Sequence, residues 1–253
     1  MSNGRDVIYL YDGSFEGLLS AIFESYARHE LPLSITEDSN VQQALFCDYY
    51  FVTTDEEKSE RVFRSIQQKV SPVAMENIYY TYLSCAPGKG RLCLDYVRAG
   101  LRFGPGVDSH LTVDCVNTVL LLSQNVSHEA HQYTGFVRFS ELDGGIYYSE
   151  IEPKNHVLPI LAQHFTERLP QMPWMIHDLN RHLCLVYNGA SCYLAPTSSM
   201  PKIQYSEEEQ AYRKLWRKFY ETVEIKERSN ERCRRGHMPK RYWKHLTEFN
   251  ELF

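Results

Sequence analysis

Apolar residues recur along this chain in two rhythms, and the switches between them predict its elements. Val7-Ile-Tyr-Leu-Tyr11 is a short apolar run closed by Asp12-Gly13-Ser14. Phe15, Leu18, Leu19, Ile22, Phe23 and Tyr26 follow at helical spacing, which predicts a β-turn-α start. Residues 31–54 read as short extended pieces. A helix is predicted over 55–70, punctuated by Ser71-Pro72, and two more over about 73–85 and 91–103. Between the last two lies Ala86-Pro-Gly-Lys-Gly90, a basic turn that lacks the upstream glycine and the trailing Ser/Thr of a Walker A loop. Val116, Val119, Leu120, Leu122 and Val126 predict a helix over 113–132, stopping near Thr134-Gly135 before a strand over 136–139.

The second half alternates more quickly. An extended run, Ile146-Tyr-Tyr-Ser-Glu-Ile-Glu-Pro153, precedes a helix over 156–169 whose stripe is Val157, Leu158, Leu161, Ala162, Phe165 and Leu169. In the next run Trp174, Ile176, Asp178 and Asn180 share one face. Leu183-Cys-Leu-Val-Tyr187 and residues 190–194 flank Asn188-Gly189 and read as a hairpin. Residues 195–201, with two prolines, form a linker. Ser206-Glu-Glu-Glu209 is a capping box before an amphipathic helix carrying Tyr212, Leu215, Trp216, Phe219, Tyr220 and Val223. Pro239 opens a last helix with Tyr242, Trp243, Leu246 and Phe249. The expected fold is α+β: several helices on a small, mostly antiparallel sheet from 136–194, with a helical basic C-terminal segment. Three regions follow: a β-α start and helical region (1–127), an α+β core (128–200), and a basic helical segment packed on that core (201–253).

Polar residues inside the apolar segments 128–187 mark a candidate site. Arg168 lies seven residues after Leu161, at the edge of the apolar stripe, and needs an anionic partner if buried. Asp178 is the expected one. The plain reading is an ion pair fixing helix to sheet, and the sharper one is a pocket wall. Glu129, His131, His164 and Asp178 are candidate catalytic residues, and Arg138, Arg168 and Arg181 candidate ligand-binding residues. His128-Glu-Ala-His131 is one residue too short for a His-Glu-x-x-His zinc helix, so a metalloprotease is excluded.

Composition narrows the classes. With 43% hydrophobic residues the chain can bury a real core. No run approaches the roughly 18 apolar residues of a membrane span, and the polar opening Met-Ser-Asn-Gly-Arg-Asp is no signal peptide. Seven cysteines, at 47, 85, 93, 115, 184, 192 and 233, include no Cys-x-x-Cys pair. Structural zinc, an iron–sulfur cluster and a disulfide framework are therefore not expected, and a cytoplasmic location without metal or cofactor is. Net charge is −5, unevenly spread. Residues 225–246 carry eight Lys and Arg against Glu227 and Glu231, so an acidic body bears one basic end. Candidate nucleic-acid contacts are Arg228, Arg232, Arg234, Arg235, Lys240, Arg241 and Lys244, with Tyr242 or Trp243 stacking on an exposed base.

The run Ile225-Lys-Glu-Arg-Ser-Asn230…Met238-Pro-Lys-Arg-Tyr-Trp-Lys-His-Leu-Thr-Glu248 resembles the C-terminal signature of a bacterial family of DNA metabolism proteins. The larger domain of that family is domain-of-unknown-function family 4130. Glu129-Ala-His131…Gly135-Phe-Val-Arg-Phe139…Glu152-Pro153…His164-Phe-x-x-Arg168…Trp174-x-Ile-x-Asp178 and Tyr11-Asp-Gly-Ser-Phe-Glu-Gly17 are similar too, so the resemblance spans nearly the whole chain. It implies a DNA-binding accessory protein in repair or modification, acting with a radical S-adenosylmethionine (SAM) protein. In some relatives the domain is fused to a uracil-DNA glycosylase-like domain. This chain lacks Cys-x-x-x-Cys-x-x-Cys and cannot hold the partner's cluster itself. Two alternatives stand beside that reading. One is a nucleobase- or nucleotide-processing enzyme with a pocket around Glu129, His131, His164, Arg168 and Asp178. The other is a protein-interaction scaffold whose basic end takes an acidic partner.

Overall fold

Strand β1 (Val7–Tyr11) is buried from Ile8 onward and sits centrally in a parallel three-stranded sheet, order β2-β1-β3, with β2 Ser34–Glu37 and β3 Asp48–Phe51. The computed structural model describes residues 6–37, 47–197, 207–223 and 230–249. They divide into two units, 1–127 and 128–253. Helix α1 (Phe15–Ala27) starts where the Ser14 side chain accepts the Gly17 N–H. Asp12 accepts from Ser14 and Thr54 across this turn. A Cβ at position 17 would lie 2.3 Å from Asp12 Oδ1, so only glycine lets the carboxylate cross the helix there. Helices α2 (Glu56–Lys69), α3 (Pro72–Leu83) and α4 (Lys89–Phe103) complete the unit's core around Tyr9, Leu18, Ile22, Ile66, Ile78 and Leu94. Asp55 and Ser71 cap α2 and α3 through their side chains.

Helix α5 (Asp114–Phe136) begins in the first unit and ends in the second. The second unit is built on a five-stranded sheet, β4 (Ser140–Leu142), β5 (Ile146–Ile151), β6 (Trp174–Asp178), β7 (Leu183–Tyr187) and β8 (Cys192–Pro196), in sequential order. Only β5 and β6 pair parallel, bridged by helix α6 (Leu158–Arg168); the other three pairings are antiparallel. The fold is therefore α+β, with a mostly antiparallel sheet in the second unit and a parallel one in the first. Of the expected strand over 136–139, Phe136 is the last residue of α5, and 137–139 are an irregular connection to β4 at Ser140. Gly135 does not stop the helix, because the Val137 N–H still donates to the Tyr133 carbonyl at 3.1 Å. Tyr133 and Phe136 are held there by the Tyr242 ring, with centroids 5.0 and 4.9 Å away.

One sheet face, with Ile151, Trp174, Ile176, Leu185 and Tyr187, packs on Leu161 and Phe165 of α6. Tyr148, Glu150 and His177 alternate onto the opposite face. Helix α7 (Glu207–Val223) follows; Ser206 of the proposed capping box and most of the proposed linker lie outside the described residues. The expected last helix is instead a 3₁₀ helix, Lys240–His245, preceded by a short helix α8 (Glu231–His237). No helix among the described residues is long and apolar enough to cross a membrane.

Candidate functional site

Three of the residues singled out from the sequence meet at one loop. Glu129, buried on α5, accepts the Lys154 and Asn155 backbone N–H groups at 3.0 and 2.9 Å and the Asn155 side chain at 2.8 Å. Asp178 is fully buried at the end of β6 and pairs with Arg181 at 3.0 Å. Burial raises its carboxyl pKa, and Arg181 opposes that shift. Arg181 in turn donates to the carbonyls of Pro153 and Lys154, and Asn180 donates to Pro153. One carboxylate thus takes the N–H groups of 154–155, while Arg181 and Asn180 take the carbonyls of 153–154. These residues brace the β5–α6 connection, and their polar atoms are spent on it.

The expected Arg168–Asp178 pair does not form. Arg168 occupies the last turn of α6 and is exposed, since a long side chain at a helix end reaches water without leaving its stripe. His131 is exposed on α5, and His164 is half-buried edge-on to Phe165. None of Glu129, His131, His164, Arg168 and Asp178 lines either of the two cavities described below.

The basic end is also more occupied than its charge suggests. Tyr242 and Trp243 are 2% and 6% exposed and belong to the core, which removes them from base stacking. Arg241 lies 3.4 Å from Glu129, Lys244 pairs with Glu152, and Arg235 pairs with Glu231. Arg232, Arg235 and Lys240 are exposed and Arg234 is half-buried; Arg228 lies outside the described residues.

Two adjoining cavities open where α7 meets the sheet. The first, about 250 Å³, is polar and of mixed charge: Arg138, Arg213, Lys244 and His245 line it together with Glu150, Glu152, Ser140 and Tyr148. The second, about 480 Å³, is an aromatic slot formed by Phe139, Tyr147, Tyr212 and Trp216, rimmed by Glu141, Glu208 and Glu209. Arg138, Arg213 and Thr247 line both. Glu248 fixes this boundary, accepting from Arg138 at 3.0 Å and from the Trp216 indole at 3.3 Å. Arg213 donates to Ser140 at 3.2 Å, and Arg217 to the Thr247 carbonyl at 3.1 Å.

The model of a family described as a domain of unknown function, DUF4130, matches residues 87–248. The chain belongs to this family. No curated protein and no solved structure matches it. The DUF4130 segment contains every residue of the two cavities, from Arg138 to Thr247, and excludes β1, β2, β3, α1, α2 and α3.

Behind the polar cavity of this DUF4130 chain runs a buried hydrogen-bonded row. Tyr148 donates to Glu150 at 3.1 Å, so its oxygen accepts from His177 Nδ1–H at 2.9 Å, and His177 Nε2 accepts from Thr197 at 2.9 Å. Burial pushes the His177 pKa below that of an ordinary imidazole, leaving the ring neutral. His245 is lowered for the same reason, despite Glu152 Oε1 at 3.7 Å. The arrangement can orient a ligand's polar edge and neutralise an anion. Among the described residues no group of three or more His, Cys, Asp or Glu is placed to hold a metal ion.

Of the residues singled out from the sequence, only Arg138 and Lys244 line these cavities. Tyr148, Glu150, Glu152, His245, Arg213 and Trp216 were missed. The period-two run Tyr148-x-Glu150-x-Glu152 was the available signal, as was the i, i+3 spacing of Arg213 and Trp216.

Proposed function

We propose that this DUF4130 chain is a DNA-binding accessory protein, working in repair or modification beside a radical SAM enzyme. The observation that carries the reading is the surface of α7. Its apolar stripe is not buried: Tyr212 is 70% exposed, Phe219 55% and Trp216 39%. Arg213, Lys214, Arg217 and Lys218 alternate with these rings along the same helix. Exposed aromatics interleaved with cations suit a single strand, because every base has a stacking face and every phosphate a charge to neutralise. The exposed Arg232, Arg235 and Lys240 add cations from the neighbouring segment. The contact surface is thus α7 with part of the basic end, not the basic end with Tyr242 and Trp243. The partner enzyme is proposed from the resemblance carried by residues 225–248 alone.

Fluorescence anisotropy of a labelled oligodeoxycytidylate tests the surface. Affinity is expected to fall by about 0.7 in log K per log salt for each phosphate neutralised. Tyr212→Ala and Trp216→Ala should each weaken binding by about 5- to 150-fold, the equivalent of roughly 1–3 kcal/mol per stacked base. Unchanged affinity after charge reversal of Arg213, Lys214, Arg217 and Lys218 overturns the reading. Nuclease-resistant co-purification with a radical SAM protein tests the partner separately.

A further inference from the structure

We infer that the aromatic slot and the polar cavity beside it hold one unstacked nucleotide of the bound strand, and that the slot prefers a base carrying an exocyclic amino group. This rests on the DNA-binding reading and adds a specific ligand to it. The two cavities differ in chemistry as the two ends of a nucleotide do. Tyr147, Tyr212 and Trp216 line the slot with aromatic rings on which a base can stack. Arg138, Arg213 and Lys244 lie next to them, held internally by Glu248, Ser140 and Glu152, and a 5′-phosphate attached to that base would compete with these partners for the three cations. The shared Arg138 and Arg213 mark the sugar's position, since both cavities end on them. At about 480 Å³ the slot falls within the roughly 300–1,000 Å³ of sites that hold small ligands, and the adjoining cavity, about 250 Å³, extends it.

The rim of the slot supplies the selectivity. Glu141, Glu208 and Glu209 place acceptor-only carboxylates around a base whose faces are already stacked. A carboxylate accepts from the amino group of cytosine, adenine or guanine and finds no such donor on thymine. Glu248 is the positioning residue: it holds Arg138 and the Trp216 indole from one buried carboxylate, so the phosphate side and the stacking side are set by the same group.

Tryptophan emission gives a direct test on the full chain. Of its three tryptophans, Trp174 and Trp243 are buried and Trp216 is 39% exposed, so a base stacked in the slot quenches Trp216 selectively. Titration with deoxycytidine 5′-monophosphate is expected to quench saturably. Thymidine 5′-monophosphate and deoxycytidine should each bind at least 10-fold more weakly, and Trp216→Phe should abolish the signal. Arg213→Ala and Lys244→Ala should reduce the monophosphate to the nucleoside's affinity; α7 buries no residue, so Arg213→Ala is not expected to disturb folding. Absence of saturable quenching, while the labelled oligonucleotide still binds with its steep salt dependence, overturns the nucleotide site and leaves the surface reading intact. Equal binding of the two monophosphates overturns the role of the carboxylate rim. Failure of both oligonucleotide and monophosphate to bind overturns the DNA reading itself.

Discussion

Replacing Glu129 with alanine separates a brace from a catalyst. The carboxylate is 3% exposed and receives three hydrogen bonds of 2.8 to 3.0 Å from Lys154 and Asn155. Hydrogen bonds to a charged acceptor contribute about 1.5–3 kcal/mol each, but three on one group do not add fully. Arg241 contributes little to the total, because its side chain is 37% exposed and water screens the pair. Removing one member of a buried charged network costs about 3–5 kcal/mol, and that is the expected loss for Glu129→Ala. Against a total stability of roughly 5–15 kcal/mol this is severe, and it should lower the melting temperature by about 10 °C. Urea unfolding followed by tryptophan emission reads the effect in the right place, since Trp174, Trp216 and Trp243 all lie in the second unit. Amide exchange at Lys154 and Asn155 should accelerate in parallel. A variant within about 1 kcal/mol of the parent, with those amides still protected, would refute the bracing argument.

Other outcomes follow from the same structure. Trp243→Ala should cost about 3–5 kcal/mol, as for other large buried aromatics, whereas a surface stacking residue would leave urea unfolding unmoved. Arg235→Ala should change stability by under about 1 kcal/mol, because its pair with Glu231 is exposed. If the α8 cations touch phosphate, the same substitution should lower the salt slope of oligonucleotide binding by about one unit, and an unchanged slope would place DNA elsewhere. His177 and His245 have folded pKa values below the ordinary imidazole value, chiefly through burial. The unfolded chain therefore takes up protons below about pH 6.5 that the folded chain refuses, and stability should fall as pH drops from there towards the lowered values. His245→Gln should flatten that dependence, measured as unfolding midpoints at pH 5 and 7.5; parallel losses in both proteins would show that His245 does not contribute.

Helices were the legible part of this chain because their signal is local. The stripes of α1 and α6 need only a dozen neighbouring residues to declare themselves. Strands β2 and β3 are four residues each and pair with β1 across long stretches of sequence, so they read only as extended pieces and not as one parallel sheet. The candidate residues suffered most from distance. Glu129 was visible as an unusual carboxylate, but its partners sit 25 and 26 positions away, and only the fold shows that they are backbone N–H groups. The counter-ions of the basic end, Glu129 and Glu152, are likewise remote, which made Arg241 and Lys244 look freer than they are. The stripe on α7 was read correctly as apolar, yet periodicity cannot say whether such a stripe has found a partner.

Helix α5 has a practical consequence for anyone dissecting the molecule. The boundary between the units, after Ser127, falls inside this helix, and the piece left on the far side, 128–136, is shorter than the roughly 12–15 residues an isolated helix needs to persist in water. That stub carries Glu129, Ala130 and Tyr133, on which the β5–α6 connection and the Tyr242 ring rest. A fragment cut at the boundary should fray from its first residue inward and forfeit its own interior, whereas one begun at Asp114 keeps the rod that its centre is assembled around.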